Sequence, residues 1–374
     1  MQSNSRIERL ALVLREKKLH ACLITHTADI RWLTGFAGVF DEEQAHLAVL
    51  FADPLRPPEL HTDSRYSEAL RTCDADRGGL WHICDERIGH SKFAAGVLAA
   101  KPRKQRIAIE ADLRLNQYRA LEKTLASMKE KSVRLVELSD LVTSLRAVKD
   151  AEEIAALRAA QAITDAAFQH MLEFLRPGIT EQEAACELDF FMRRNGSEGV
   201  AFATIVASGP NSARPHAVPG GRELQRGDIV LMDYGARLGD YRSDMTRTVV
   251  LGPASERQRE VYAAVLAAQT AARAALRPGV TGAEAHRVAE DIINQAGFEG
   301  RFGHGLGHGV GIDIHELPVL APKQNKPLVA GHVVTVEPGI YLPGEFGVRI
   351  EDFGVVTPDG YDIFTQSPHQ LFEL

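Results

Sequence analysis

The sequence predicts an α+β protein of two domains, an N-terminal α/β domain over residues 1–144 and a C-terminal domain over residues 145–374. Strand and helix signals alternate from the N-terminus to about residue 141, which is typical of an α/β domain. A long alanine-rich amphipathic segment, predicted as a helix, follows at residues 145–175. Beyond this segment the chain repeats itself, which indicates a C-terminal domain of two related halves.

The composition is that of an ordinary globular protein. Of the 374 residues, 45% are hydrophobic and 25% are charged, which is enough for two domains with cores of their own. A net charge of −7 gives no bulk attraction to nucleic acid or anionic lipid, so we expect neither partner. No apolar segment reaches the roughly 18 residues of a membrane span, and the four scattered cysteines form no CxxC pair. We therefore expect a cytoplasmic protein.

The first elements of the N-terminal domain follow from hydrophobic periodicity. Residues 7–17 place their apolar side chains on one helical face, which predicts a helix. The runs ACLIT at residues 21–25 and HLAVLFA at residues 46–52 predict strands. These signals begin the alternation on which the α/β assignment depends.

The C-terminal domain contains an internal repeat. LRPGITEQEAACELDFFMRRNG at residues 175–196 matches LRPGVTGAEAHRVAEDIINQAG at residues 276–297, and LQRGDIVLMDYG at 224–235 is echoed by LVAGHVVTVEPG at 328–339. In both copies a Pro-Gly turn precedes a threonine that can cap a helix, with a glutamate three residues later as its capping-box partner. These pairs are Thr180 with Glu183 and Thr281 with Glu284. The repeat predicts two halves related by a pseudo-twofold axis.

Each half also supplies two acidic residues at corresponding places. A predicted strand ends in Asp233 in one half and in Glu337 in the other, and a second acid follows each of them, Asp244 and Glu351. Singly, each acid is explained as a strand-end residue or an ion-pair partner. A pseudo-twofold fold would bring all four together, where they could not all stay ionised without a counter-charge. Two divalent cations would supply that charge, and carboxylates with one imidazole suit hard or borderline metals.

The segment GHGLGHGVGIDIHE at residues 303–316 offers the imidazole. It carries three histidines among glycines that recur at every second position. The spacing satisfies neither GxGxxG nor a P-loop, HExxH is absent, and no GxSxG elbow supports a serine nucleophile. We interpret the glycines as allowing the backbone to pass beside a metal and substrate cleft that Cβ atoms would crowd. The candidates for the ligand are His304, His308 and His315.

These motifs together resemble a known family. The ordered set lies in MDYG, SDMTRT, GHGLGH, VEPG and VRIED, and consists of Asp233, Asp244, His308, Glu337 and Glu351. Over about residues 145–370 it resembles the pita-bread metallopeptidases, which include methionine aminopeptidase, prolidase and aminopeptidase P. The segments DIRWLTGF and HTDSRYSEA resemble the small domain of the prolidase, aminopeptidase P and creatinase branch. The resemblance implies a creatinase-like α/β domain followed by a pseudo-twofold pita-bread domain.

The resemblance also implies the metal ligands. Asp233 would bind one metal, His308 and Glu337 the other, and Asp244 and Glu351 would bridge the two. This gives two divalent metal ions per subunit. We expect Mn²⁺, with Co²⁺ or Zn²⁺ as alternatives, because the ligand set is rich in carboxylates.

Other residues receive roles from the same resemblance. His216, in SGPNSARPHAVPG, and His315, in IDIHE, correspond to catalytic histidines, and Glu337 would also carry the proton of the attacking water. His304 and Arg349 would either line the side of the site that binds proline or support the metal ligands from behind. The family further implies a homodimer.

The implied reaction is hydrolysis of the Xaa-Pro bond at the N-terminus of short peptides. We favour an Xaa-Pro dipeptidase because the chain is compact, with aminopeptidase P, which acts on longer peptides, as the alternative. Methionine aminopeptidases usually lack an N-terminal domain, and creatinase does not retain all the metal ligands. A non-catalytic peptide- or protein-binding relative would be expected to have lost ligands, and none is lost here. A phosphatase with a carboxylate-bridged metal pair fits the two accessory histidines and the repeat less well.

Overall fold

The computed structural model describes residues 2–40, 45–99, 104–128 and 132–374. The chain divides into two compact units, Met1–Arg146 and Ala147–Leu374. The boundary predicted from the sequence, ahead of residue 145, lies two residues before this division.

The first unit is a mixed sheet with helices. Its helices are α1 (Gln2–Glu16), α2 (Thr27–Thr34), α3 (Ser67–Asp76), α4 (His90–Ala99), α5 (Leu115–Ser127) and α6 (Thr143–Arg146). Its strands are β1 (Ala21–Ile24), β2 (Leu47–Phe51), β3 (Glu59–His61), β4 (His82–Cys84), β5 (Gln105–Glu110) and β6 (Val133–Leu138). The predicted strands at 21–25 and 46–52 correspond to β1 and β2, and the predicted helix to α1.

The sheet of the first unit has the order β4-β3-β2-β1-β5-β6. Strand β1 pairs in parallel with β5 and antiparallel with β2, and β5 pairs in parallel with β6. All residues of β1 and β2 are buried, as expected of strands covered on both faces.

The second unit contains four long helices and thirteen strands among its described residues. The helices are α7 (Ala151–Phe174), α8 (Glu181–Arg194), α9 (Glu256–Ala275) and α10 (Gly282–Gln295), and a 3₁₀ turn spans Gly209–Ala213. The strands of its first half are β7 (Gly199–Val200), β8 (Ile205–Ser208), β9 (Ile229–Tyr234), β10 (Ala236–Leu238), β11 (Tyr241–Arg242) and β12 (Met245–Val250). Those of its second half are β13 (Gly307–Gly309), β14 (Glu316–Leu320), β15 (Val333–Val336), β16 (Gly339–Leu342), β17 (Phe346–Arg349), β18 (Asp352–Val356) and β19 (Tyr361–Ile363).

Helix α7 begins six residues later than predicted. The Asp150 side chain accepts a hydrogen bond from the Glu153 backbone N–H, and the Glu153 side chain accepts one from the Asp150 N–H. This capping box starts the helix at Ala151. The residues before it are extended, since Val148 forms a bridge with His332 and the Lys149 N–H donates to the Gly331 carbonyl. The prediction of a helix from residue 145 was therefore wrong at its N-terminal end.

The two halves of the second unit repeat the same contacts. The Leu224 N–H donates to the Ile179 carbonyl and the Leu328 N–H to the Val280 carbonyl, each at 2.8 Å. Both predicted capping boxes are confirmed at the starts of α8 and α10. The central strand pairs, β9 with β12 and β15 with β18, are antiparallel. Each half also has its own apolar core, formed by α7 and α8 or by α9 and α10 against these strands.

Among the described residues, no helix has both the length and the apolar character needed to cross a membrane.

Candidate metal centre

The first half contributes Asp233 and Asp244 from neighbouring strands. Asp233 lies in β9 and Asp244 directly precedes β12, whose Met245 pairs with Tyr234. Gly235, the last residue of MDYG, makes this approach possible, because a Cβ there would lie 1.9 Å from the Ser243 carbonyl oxygen. The glycine of this motif therefore leaves the room that the two aspartate-bearing segments need to lie close together.

The second half contributes Glu337 and Glu351 in the same way. Glu337 directly follows β15 and Glu351 directly precedes β18, in a ladder that pairs Val336 with Asp352. Asp352 is fully buried and accepts hydrogen bonds from Arg247 of β12 (2.8 Å) and from Arg273 of α9 (2.6 Å). The backbone carbonyl of Glu351 also accepts from Arg247, at 2.6 Å. These bonds fix the start of β18 and with it Glu351.

His308 lies at the centre of β13, which pairs with β14 on one side and β15 on the other. Backbone atoms of these two strands lie close to Gly307 and Gly309. A Cβ on Gly307 would lie 2.1 Å from the Thr335 carbonyl oxygen of β15, and one on Gly309 would lie 2.3 Å from the Leu317 carbonyl oxygen of β14. At these two positions a Cβ would collide with neighbouring backbone, and not only crowd the cleft as the sequence interpretation has it. Gly307 and Gly309 are needed because neighbouring backbone lies against them on the sheet, whereas a Cβ on Gly303 would meet nothing within 4 Å.

A single cavity of about 420 Å³ in the second unit is lined by all nine residues singled out from the sequence. They are His216, Asp233, Asp244, His304, His308, His315, Glu337, Arg349 and Glu351. Ligand atoms of Asp244, His308 and Glu351 lie within 4.8 Å of one another. His308 Nε2 is 3.5 Å from Asp244 Oδ2 and 3.4 Å from Glu337 Oε1.

Three of the carboxylates in this cavity, those of Asp244, Glu337 and Glu351, have raised pKa values. Burial, reinforced by the charges of Asp233 and Glu337, raises the pKa of Asp244 well above its ordinary value. Burial raises the pKa of Glu351 as well, helped by the charges of Asp244 and Glu337. Burial also raises the pKa of Glu337, to about 7, although Arg349 lowers it. Without a further counter-charge, the cluster therefore cannot ionise fully near neutral pH.

Three histidines of the cavity, His304, His308 and His315, have lowered pKa values and so favour their neutral forms. Burial lowers the pKa of His308, and burial together with Arg349 lowers that of His304 to about 4. Burial and the neighbouring His308 lower the pKa of His315. His308 Nδ1 lies 3.0 Å from the Gly309 carbonyl oxygen, which can only accept, so Nδ1 carries the hydrogen and Nε2 presents its lone pair to the acids.

Arg349 connects the acids to the wall of the cavity. Its Nη2 donates to Asp233 Oδ2 at 2.5 Å, and its Nη1 donates to Tyr341 Oη at 2.8 Å and to the Pro215 carbonyl. Its Nε donates to Thr246 Oγ1, which itself donates to Glu351 Oε2 at 2.7 Å. Arg349 thus positions candidate ligands from both halves, Asp233 directly and Glu351 through Thr246.

Three polar residues of this network were missed in the sequence. Thr246 bonds Glu351, Thr335 Oγ1 accepts from the His308 N–H and donates to Glu337, and Tyr341 Oη lies 2.9 Å from His304 Nε2. The two threonines stand two residues from Asp244 and Glu337, and residues two apart in a strand share a face. That spacing is a signal for both threonines, whereas the position of Tyr341 follows only from the β16–β17 pairing.

The donor set fits a centre for divalent cations. Asp233 Oδ1 is buried and lacks a hydrogen-bond partner within the described chain, although its other oxygen is paired with Arg349. A buried carboxylate oxygen without a partner is costly unless a cation contacts it. The other acids have raised pKa values that a cation would reverse, and His308 presents a lone pair. Four carboxylates with one imidazole are suitable ligands for Mn²⁺ and similar ions.

Comparison with known proteins assigns the family. The model of metallopeptidase family M24 matches residues 155–358, more than half of the chain, and that of the creatinase/prolidase N-terminal domain matches residues 6–148. The chain belongs to metallopeptidase family M24. The predicted fold class, a creatinase-like domain followed by a pita-bread domain, is confirmed.

Relatives of this M24 chain match it over nearly its whole length. An Xaa-Pro dipeptidase of Lactobacillus delbrueckii subsp. lactis is 34% identical over 98% of both chains. The solved structure of an Xaa-Pro dipeptidase from Bacillus anthracis covers all of both chains with 35% identity and a TM-score of 0.90. An X-Pro aminopeptidase from Thermotoga maritima MSB8 covers 96% of this chain and 98% of its own, with 33% identity and a TM-score of 0.82. Because the chain is similar to proteins named for either activity, similarity alone does not decide between a dipeptidase and an aminopeptidase.

The raised pKa of Glu337 predicts a pH-dependent stability of the metal-free M24 chain. The pKa is about 7 in the folded state against an ordinary 4.5, so the contribution of Glu337 to the free energy of unfolding is complete below pH 4.5 and falls as pH rises towards 7. Glu337→Gln does not titrate. Between pH 4.5 and 7.5, we expect wild type to lose on the order of 2 kcal/mol relative to this variant.

Urea unfolding of both proteins in the presence of a chelator, at one-unit steps of pH, measures this difference. A difference that stays constant across the range would contradict the raised pKa. Addition of a saturating divalent cation should abolish the decline, because the bound ion stabilises the ionised carboxylate.

Proposed function

We propose that this chain hydrolyses the Xaa-Pro bond at the N-terminus of short peptides with two divalent metal ions, as an Xaa-Pro dipeptidase. The observation that carries the proposal is the shared cavity, in which four acids and His308, drawn from both halves of the repeat, meet three further histidines. Relatives that are named Xaa-Pro dipeptidases and match the full chain support it.

Five residues would hold the metals. Asp233 would bind one ion, His308 and Glu337 the other, and Asp244 and Glu351 would contact both. Bound in this way, the ions would supply a nucleophilic water near neutral pH and polarise the scissile carbonyl. Mn²⁺ remains our prediction for the ion, with Co²⁺ or Zn²⁺ as alternatives.

Glu337 is the proposed proton carrier. The Glu337 side chain is 17% exposed, against 5% for Asp244, the other carboxylate close to His308 Nε2. Glu337 is therefore the more accessible of the two. An accessible carboxylate can accept the proton of the attacking water and deliver it to the leaving nitrogen. Delivery matters because the nitrogen of proline carries no hydrogen in the substrate.

His216 and His315 are the proposed donors to the substrate carbonyl. Both line the cavity and both are exposed there. His315 packs edge-on against His308, with the ring centroids 4.4 Å apart, so its ring lies beside the ligand set. An imidazole in this place can stabilise the oxyanion of the tetrahedral intermediate by donating an N–H.

His304 and Arg349 are proposed to line the proline pocket. His304 is within hydrogen-bond distance of Tyr341, and Arg349 also donates to Tyr341. Arg349 is the one arginine or lysine among the described residues that line this cavity, and it already binds Asp233. A dipeptide carboxylate would therefore share Arg349 with Asp233 or use an arginine outside the cavity lining, such as the exposed Arg214. If no such cation binds it, the activity is that of aminopeptidase P.

Single replacements of residues that line the cavity separate metal binding from catalysis. We expect His308→Ala or Asp244→Ala to lower both metal content and turnover by at least about 100-fold, because each removes a ligand. His315→Ala should keep its metal and lose turnover by roughly 10²–10³-fold, since only an oxyanion donor is lost. Metal analysis by mass spectrometry, together with turnover of an Xaa-Pro dipeptide, measures both quantities.

The exposed His82 provides the matched control for these substitutions, since His82→Ala removes an imidazole from the N-terminal unit. That variant should keep wild-type metal content and turnover. Full peptidase activity in a metal-free His308→Ala protein would refute the metal centre.

Substrate length decides between the two proposed activities. A dipeptidase should hydrolyse Ala-Pro at least about tenfold more efficiently than Ala-Pro-Pro, because a cation binds the free proline carboxylate. Measurement of kcat/KM on both peptides, with Ala-Ala as the control that lacks proline, tests this. The reverse preference would establish aminopeptidase P, and hydrolysis of neither peptide would refute Xaa-Pro hydrolysis.

A further inference from the structure

A buried ion pair lies outside the ligand set and has no role in the proposed chemistry. Lys149 Nζ is 3.0 Å from Glu316 Oε2, and each side chain is only 1% exposed. The two residues are 167 positions apart in the sequence. A buried ion pair contributes little net stability compared with apolar residues of similar volume, so its presence calls for another explanation.

The Glu316 carboxylate occupies the inside of the loop formed by residues 311–316. Its Oε1 accepts a hydrogen bond from the Asp313 N–H at 2.9 Å. A Cβ on Gly311 would lie 2.6 Å from both carboxylate oxygens, so only glycine leaves room for the carboxylate at that position. The loop is therefore built around this charged group.

The same loop carries His315 and contacts His308. His315 is the residue directly before Glu316, and its ring packs against that of His308. Ile314 is a backbone hydrogen-bond partner of His308. A shift of the Glu316 carboxylate would move the segment that places His315 beside the ligands.

Lys149 is itself fixed by backbone pairing. Its N–H donates to the Gly331 carbonyl at 2.9 Å, and the preceding Val148 forms a bridge with His332. These contacts tie the lysine to the segment that leads into β15, the strand followed by Glu337. The ammonium group thus meets the Glu316 carboxylate from a fixed position.

We propose that Lys149 and Glu316 are positioning residues that hold His315 in its catalytic place. This inference rests on the proposed function for the role of His315. The buried charge of Lys149 fixes the carboxylate inside the loop, and the carboxylate fixes the backbone from Gly311 to Glu316. Neither residue touches the substrate.

Loss of one partner should move the loop, because it removes an opposite charge from beside a buried ionised group. In Lys149→Met or Glu316→Gln we expect kcat to fall by at least about tenfold, since misplacement of a catalytic group by about 1 Å has effects of up to 10²-fold. KM should stay within about twofold, and metal content should be unchanged.

A double variant keeps the inference testable if the single variants fold poorly. Lys149→Met combined with Glu316→Gln leaves no unpaired charge, and glutamine still offers an acceptor to the Asp313 N–H. We expect kcat of this double variant to exceed that of Lys149→Met alone. The exposed pair of Arg257 and Glu260 gives the control, because Arg257→Met should leave kcat unchanged.

Two readouts separate positioning from mere stabilisation. Hydrogen–deuterium exchange of residues 309–316 should accelerate at least about tenfold in the single variants, with the segments of β9 and β12 unaffected. Addition of Glu316→Gln to His315→Ala should lower kcat by no more than about twofold, because the pair acts through His315.

Unchanged exchange at residues 309–316 in both single variants would overturn the inference, and so would a full further loss of kcat in the His315→Ala background. The exchange measurement does not depend on turnover. Failure of wild type to cleave Xaa-Pro peptides would therefore refute the proposed function, while the exchange of the loop still tests whether the pair holds it.

Discussion

The structure of the second unit depends on one electrostatic constraint, the gathering of four carboxylates in a single cavity. Burial and mutual repulsion raise the pKa of Asp244, Glu337 and Glu351, and Asp233 Oδ1 is buried without a hydrogen-bond partner among the described residues. Arg349 supplies one fixed positive charge, which is not enough for four acids. Full ionisation of the four acids near neutral pH therefore needs further positive charge, which divalent cations would supply.

The internal repeat brings these acids together. Each half supplies a pair of antiparallel strands, with one acid at the end of the first strand of the pair and one directly before the second. Threonines on the same strand faces hydrogen-bond Glu351 and Glu337, and Arg349 links the two halves through Asp233 and Thr246. The duplication thus places the four acids symmetrically, and His308 from β13 is the one asymmetric member of the proposed ligand set.

The features of this site that the sequence predicts are those that depend on residues close together in the chain or on the internal repeat. The strand-end acids, the capping boxes and the glycine-flanked His308 are local patterns or repeats, so they were visible in the chain. Helix α7 starts later than the alanine-rich periodicity predicts, because the capping box of Asp150 and Glu153 sets its first residue. The reason for the alternating glycines, the partners of Arg349 and the pairing of Lys149 with Glu316 depend on strands that are distant in sequence. Local patterns do not specify such contacts.

Calorimetric titration of Mn²⁺ into the chelator-stripped chain at pH 6.5 would show directly whether these carboxylates form a centre for two cations. Use of two buffers with different ionisation enthalpies yields the number of ions bound and the number of protons released. We predict two ions per chain and net release of protons, because Glu337 and its neighbours are partly protonated before the metal binds. Binding of fewer than two ions, or binding without proton release, would contradict the account.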